Sequence, residues 1–178
     1  MSRHAYGRRG FLLLAAGGLA GCGFHPVYAP DSAGDPGPAR TNLAAINVNL
    51  LPDRAGQLLR QALQRRLEGS GGSGVAKKFD LSVQYGIGGE GIAILPDNST
   101  TRVRFVANAT YTLQSEAPDH HTVTSGNARS VDALNVINSQ YFASDLETEQ
   151  IQVRLAEAIA DQITLQLASY FDQHPTAA

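Results

Sequence analysis

Cysteine, histidine and clustered carboxylates are the residues through which a chain of this size would do covalent or metal chemistry, and here they are sparse. Cys22 is the only cysteine among 178 residues. Its thiol could serve as a nucleophile, a metal ligand or a point of acylation, and it has no second cysteine with which to close a disulfide. His120 and His121, beside Asp119, form the best metal candidate, but adjacent residues at a hairpin tip seldom converge on one ion without further ligands. Solvated loop histidines are the expectation there. The run Gly86-Ile-Gly-Gly-Glu-Gly91 could approach a phosphate, yet no Lys-Ser or Lys-Thr follows and no helix opens, so a mobile hairpin loop is expected. Asp145, Glu147 and Glu149 fall near an expected helix N-terminus, where compensation of the helix dipole accounts for them. No nucleophile with a base, no paired carboxylates and no metal-ligand spacing emerge, so neither catalysis nor a bound cofactor or metal is expected.

The context of Cys22 favours acylation. Arg3, Arg8 and Arg9 are followed by the apolar run Phe11–Ala16 and then by small residues up to Leu19-Ala-Gly-Cys22, the order of an export signal spanning residues 1–21. The apolar stretch is too short to span a bilayer as a stable helix. Leu-Ala-Gly-Cys is similar to the lipobox of bacterial lipoproteins, which implies diacylglycerol and an N-acyl chain on Cys22. Each buried methylene contributes roughly 0.8 kcal/mol, so several acyl chains give near-permanent membrane attachment. Gly23, where an Asp commonly marks inner-membrane retention in lipoproteins, points by that likeness to the outer membrane. Arg8-Arg9 ahead of Gly-Phe-Leu fits a twin-arginine signal and an ordinary positive n-region equally well. Loss of residues 1–21 leaves 11 basic against 16 acidic groups, a net charge of −5, which argues against general nucleic-acid binding.

The elements that would position any site follow from periodicity. Residues 22–42, rich in Pro, Gly and small polar types between 29 and 41, read as a tether, with one domain over 43–172 and a disordered tail over 173–178. Ile46, Val48 and Leu50 alternate with asparagines as a strand. Asp53 can cap a helix running to about Glu68 with Leu58, Leu59, Ala62, Leu63 and Leu67 on one stripe, and Gly69 is placed to stop it. Phe79 to Ile87 and Arg102 to Gln114 alternate as strands, the second interrupted only by Val106. Residues 116–121 read as a hairpin loop into a third strand from Thr122, with Gly126 as a candidate bulge. Ser144-Asp-Leu-Glu147 fits a capping box, and Ala156, Ile159, Ile163, Leu167 and Tyr170 continue at helical spacing to a stop at His174-Pro175. The predicted fold is α+β: a two-layer sandwich with two helices on one face of a small, mostly antiparallel sheet, in the order β-α-β-β-β-α.

Two surfaces of that sandwich could bind a partner. Lys77 and Lys78 with Arg102 and Arg104 would form a cationic patch for an anionic lipid if neighbouring strands bring them together; otherwise they are ordinary solubilising charge. The sheet face away from the helices would carry Asn47, Asn49, Ser82, Gln84, Asn108, Thr110, Thr112, Thr122 and Thr124, polar but mostly uncharged.

Cys22-Gly-Phe-His-Pro-Val-Tyr28, then Asp97-Asn-Ser-Thr-Thr-Arg102, Thr124-Ser-Gly-Asn-Ala-Arg129 and Gln140-Tyr-Phe-Ala143 opening a long Ala- and Leu-rich helix, together resemble the lipopolysaccharide-assembly lipoprotein family LptE, in particular its alphaproteobacterial members. The resemblance implies two helices packed on a small sheet. It also implies a non-catalytic plug inside the outer-membrane β-barrel LptD, helping it assemble and deliver lipopolysaccharide to the surface. Lys77, Lys78, Arg102 and Arg104 would then be the first candidates for lipopolysaccharide contact, and Asn108, Thr110 and Thr112 for the surface facing the polar barrel lumen. An auxiliary lipoprotein of another envelope transport complex would share the anchor and a small α/β domain.

Overall fold

The computed structural model describes residues 37–69, 74–96, 100–136 and 141–174; Cys22, the export signal and the segment up to residue 36 lie outside them. In chain order the elements are α1 (Pro38–Ala44), β1 (Ile46–Val48), α2 (Asp53–Glu68), β2 (Phe79–Ile94), β3 (Thr100–Ser115), β4 (Thr122–Asn135) and α3 (Tyr141–Gln173). The strands form one sheet in the order β1-β2-β3-β4, with β1 parallel to β2 and the others antiparallel. The helices pack on one face, as the α+β prediction requires.

The first helix was not expected. Residues 38–42 read as tether because proline and small residues dominate the segment, yet Pro38 occupies the first turn, where its fixed φ suits a helix, and Ala39 and Leu43 lie one turn apart on the buried side. Burial against α2 and α3 makes a helix of seven residues that would be marginal alone. In α2, Asp53 takes a left-handed φ of 60° and its Oδ1 accepts from the backbone N–H of Gly56 at 2.7 Å, the capping role expected of it. Gly56 has no Cβ because one there would sit 2.9 Å from Leu51 Cβ. Gly69, at φ 56°, ends the helix.

The capping box expected at Ser144 is not one, because α3 already begins at Tyr141 and the Ser144 carbonyl accepts a bond from Thr148 Oγ1 inside the helix. Ile151, Leu155, Ile159, Ile163, Leu167 and Phe171 recur every fourth residue and are fully buried. Against them lie Leu59 and Leu63 of α2 and Phe79, Leu81, Tyr111 and Leu113 of the sheet, in one continuous core.

Two expectations about the strands are corrected. The glycine run at 86–91 is strand, paired from Gly86 with Asn108 to Gly91 with Val103, so the ladder to β3 overrides the weak strand preference of glycine. The bulge in β4 lies at Val123, between the pairs Leu113–Thr124 and Gln114–Thr122, and not at Gly126. Gly126 serves a different need: a Cβ there would stand 2.7 Å from Tyr111 Oη and 2.9 Å from Gln166 Oε1, which are themselves hydrogen-bonded at 2.9 Å.

Side chains bond part of the outer edge of β4. Gln162 of α3 accepts from Arg129 N through Oε1 at 3.2 Å and donates to Arg129 O through Nε2 at 3.1 Å, so its amide acts as the peptide group of a further strand. Gln166 Nε2 donates to Asn127 O at 3.0 Å, and Ala133 N donates to the carboxylate of Asp132 at 2.8 Å.

Candidate functional site

The period of two in the strands sends every second side chain away from the helices, and the registers align those side chains across the sheet. Asn108 stands between Gly86 and Arg129, Thr110 between Gln84 and Asn127, and Thr112 between Ser82 and Ser125. At the β1 side, Asn47 Nδ2 donates to Asp80 Oδ1 at 2.8 Å and Asn49 Nδ2 to Ser82 Oγ at 3.0 Å. The middle of the face is a surface of amides and hydroxyls, with Arg129 beside Asn108 and the charges of Asp80, Glu90, Arg102 and Arg104 toward its ends. Thr124, expected on this face, points to the helix side instead, because the extra residue Val123 reverses the alternation between Thr122 and Thr124. Val106, the interruption in the β3 pattern, also lies on the outer face, beside Val131 on β4, so a two-residue apolar spot crosses the polar surface.

The four candidate cations do not form one patch. Lys77 and Lys78 precede the first residue of β2, whereas Arg104 is level with Glu90 and Arg102 with Ala93 near its far end. Eleven residues of strand separate the two levels, about 35 Å. Lys77 is further committed: its Nζ donates to the carbonyls of Ala44 at 3.0 Å and Ile46 at 3.1 Å and lies 3.6 Å from Glu68. Arg104 is paired with Glu90 across the β2–β3 ladder. Lys78 and Arg102 carry no ion pair among the described residues.

A cleft of about 860 Å³ opens at the lysine end, between the β3–β4 hairpin and the C-terminal turns of α3, with Phe79, Val123 and Tyr170 as its apolar part and Lys78, Glu116 and His121 among its polar lining. Nothing in the sequence pattern pointed to it, since its residues come from four elements and the segments beside them, separated by up to 93 positions. His121 Nδ1 lies 3.1 Å from Asp119 Oδ2, and this contact holds the Asp119 carboxyl below its ordinary range. Among the described residues no three histidine, cysteine or acidic side chains are grouped to hold a metal. The Tyr85 hydroxyl is buried without a hydrogen-bond partner, and burial followed by the charge of Asp53 pushes its pKa up to about 12.

The fold and sequence have relatives. A candidate lipoprotein from Caulobacter crescentus CB15 superimposes with a TM-score of 0.62 at 20% identity, over 76% of this chain and 96% of that one. Rare lipoprotein B from Shewanella oneidensis does so with a TM-score of 0.54 at 11% identity, over 72% and 96%. At these identities the likeness is one of fold. No curated protein sequence matches the chain. The profile of the LptE family, described as lipopolysaccharide-assembly, matches residues 40–167, from α1 into the last turns of α3. The chain therefore belongs to the LptE family of lipopolysaccharide-assembly lipoproteins.

Proposed function

We propose that the protein is the lipoprotein subunit of an outer-membrane lipopolysaccharide translocon, anchored through acylated Cys22 and seated within a β-barrel of the LptD type, where it supports barrel assembly and lipopolysaccharide delivery without catalysing a reaction. The observation that carries this reading is the outer sheet face. Asn108, Thr110 and Thr112 with their neighbours Gln84, Ser82, Asn127, Ser125 and the single charge of Arg129 offer a dense set of hydrogen-bonding groups, matching a wet and polar barrel lumen. Membership in the family supports the class of partner.

Full-length protein in which Asn108, Thr110 and Thr112 are all replaced by Glu tests it. The triple variant should fold, because Asn108 and Thr110 are exposed and Thr112 is half-exposed, and yet recover at least tenfold less barrel from detergent-solubilised outer membrane. Undiminished recovery would remove this face from the interface. Cys22→Ala should shift the protein from the membrane to the soluble fraction while leaving part of its barrel binding, since the contacts belong to the domain. Direct contact with the phosphorylated sugars of lipopolysaccharide would fall to Lys78 and Arg102, the two candidate cations without an ion pair among the described residues, and thus to opposite ends of the sheet.

A further inference from the structure

The two edges of the sheet are treated differently. On β4, Gln162 takes both outward backbone groups of Arg129, Gln166 takes the carbonyl of Asn127 and Asp132 the N–H of Ala133, so side chains interrupt that edge along its length. On β2 the cover among the described residues is β1, which is short, followed by Leu51 and Pro52 beside Val83 and Tyr85. Asn49 N donates to Leu81 O at 3.0 Å, and the chain then leaves the lane for α2.

Which groups remain open follows from that bond. Phe79 N donates to Ala45 O and Leu81 O accepts from Asn49 N, so the odd-numbered residues of β2 turn their N–H and C=O toward the β1 lane, while the even-numbered ones bond to β3. Beyond Leu81 the outward groups belong to Val83, Tyr85, Ile87, Gly89 and Gly91, and none of them meets a hydrogen-bond partner among the described residues. The open lane is about 26 Å long. It is also unusually bare, because Gly86, Gly88, Gly89 and Gly91 present no side chain, and around Gly86 and Gly88 there is open space within 4 Å of where a Cβ would stand.

We infer that this edge is a strand-addition site that takes an extended backbone segment of the barrel partner. The inference rests on the function proposed above and names a part of that interface. A polypeptide laid in the lane would continue the course of β1, bond to five outward residues, and meet few side chains, so its sequence would be weakly constrained. The occupant is the partner and not a second copy on grounds of area. Two β2 edges paired over five outward residues, in a stretch with four glycines, add little side-chain area to the backbone bonds, whereas stable dimers need roughly 800 Å² per partner. A partner that already covers the outer face at Gln84, Gly86 and Gly88 reaches the lane without a break.

Amide-resolved hydrogen exchange on the full chain, alone and bound to the barrel in detergent, tests this. Alone, the amides of Gln84, Gly86, Gly88 and Glu90 should be protected by the β3 ladder, and those of Val83, Tyr85, Ile87, Gly89 and Gly91 should exchange freely. In the complex the second set should slow at least tenfold. Compared with Gly89→Ala, whose Cβ meets the Phe105 ring at 3.2 Å but which keeps the outward N–H, Gly89→Pro removes that N–H and should weaken association at least tenfold. If that variant misfolds, the exchange pattern of the unaltered protein still decides. A complex that forms with the odd-numbered amides still fast overturns the strand-addition site and leaves the barrel reading standing; absence of any complex overturns both. Protection that rises with concentration in the isolated protein assigns the edge to a second copy and overturns the assignment to the partner.

Discussion

At the scale of single residues, two positions set measurable constraints. Gly126 is required by its neighbours: the Tyr111 hydroxyl donates to Gln166, and Gln166 in turn bonds the β4 edge, so a methyl group at Gly126 would break a short chain of hydrogen bonds. Gly126→Ala should destabilise the protein by about 1–3 kcal/mol in urea denaturation, the usual cost of overpacking, although alanine is otherwise no worse than glycine in a strand. Tyr85 gives the opposite sign. Its hydroxyl is buried without a partner, so Tyr85→Phe should be neutral or stabilise by about 1 kcal/mol. Because burial raises the phenol from 10.0 to about 12, the folded state resists its ionisation, so the protein's stability is undiminished by it below pH 10 and falls as the pH climbs through 12. Alkaline denaturation followed by circular dichroism should therefore show a fall over that window that is reduced in Tyr85→Phe. Neither constraint was legible in the sequence: Gly126 read as a bulge and Tyr85 as one more apolar position, since both depend on what stands across the ladder.

The elements show the same division more broadly. Helix α2 was legible from cap to stop, because Asp53, the apolar stripe and Gly69 act locally and each fixes its own turn. The glycine run was misread for a related reason. Glycine has no local preference for a strand, and the pairing that imposes one comes from Val103 to Asn108, a stretch of the next strand. Helix α1 was missed because its stability comes from the burial of Ala39 and Leu43 and not from its composition. The β4 edge illustrates a function that no element has alone, since it requires a glutamine on α3 at the height of Arg129. Gln162→Ala should expose both backbone groups of Arg129, cost about 1–2 kcal/mol, and raise the exchange rate of the Arg129 amide without disturbing those of the β3 ladder.

For the molecule as a whole, burial along α3 dominates and the visible ion pairs do not. Arg54–Glu149, Arg65–Glu157 and Arg66–Asp161 all join α2 to α3; the first two are largely exposed and contribute at most about 1 kcal/mol each, and Arg66, the more buried cation, pairs with an Asp161 that is itself exposed, so salt screens all three. Ile163→Ala, at the fully buried centre of the stripe, should cost about 2–5 kcal/mol, whereas 1 M NaCl should move the melting temperature by only a few degrees. The sequence by itself determined the α+β class, the order of the long helices and strands, and the polar outer face, because each depends on a period of 2 or 3.6 that residues carry along the chain. It also placed Lys77, Lys78, Arg102 and Arg104 as candidates, but could not say whether they meet. Only the tertiary structure decided that they stand at opposite ends of β2, that the glycine run is strand, and that among the described residues side chains bond the β4 edge while the outward groups of β2 beyond Leu81 meet none. Those properties are set by register and by contacts across many positions, and a one-residue change such as the extra Val123 is enough to move Thr124 from one face to the other.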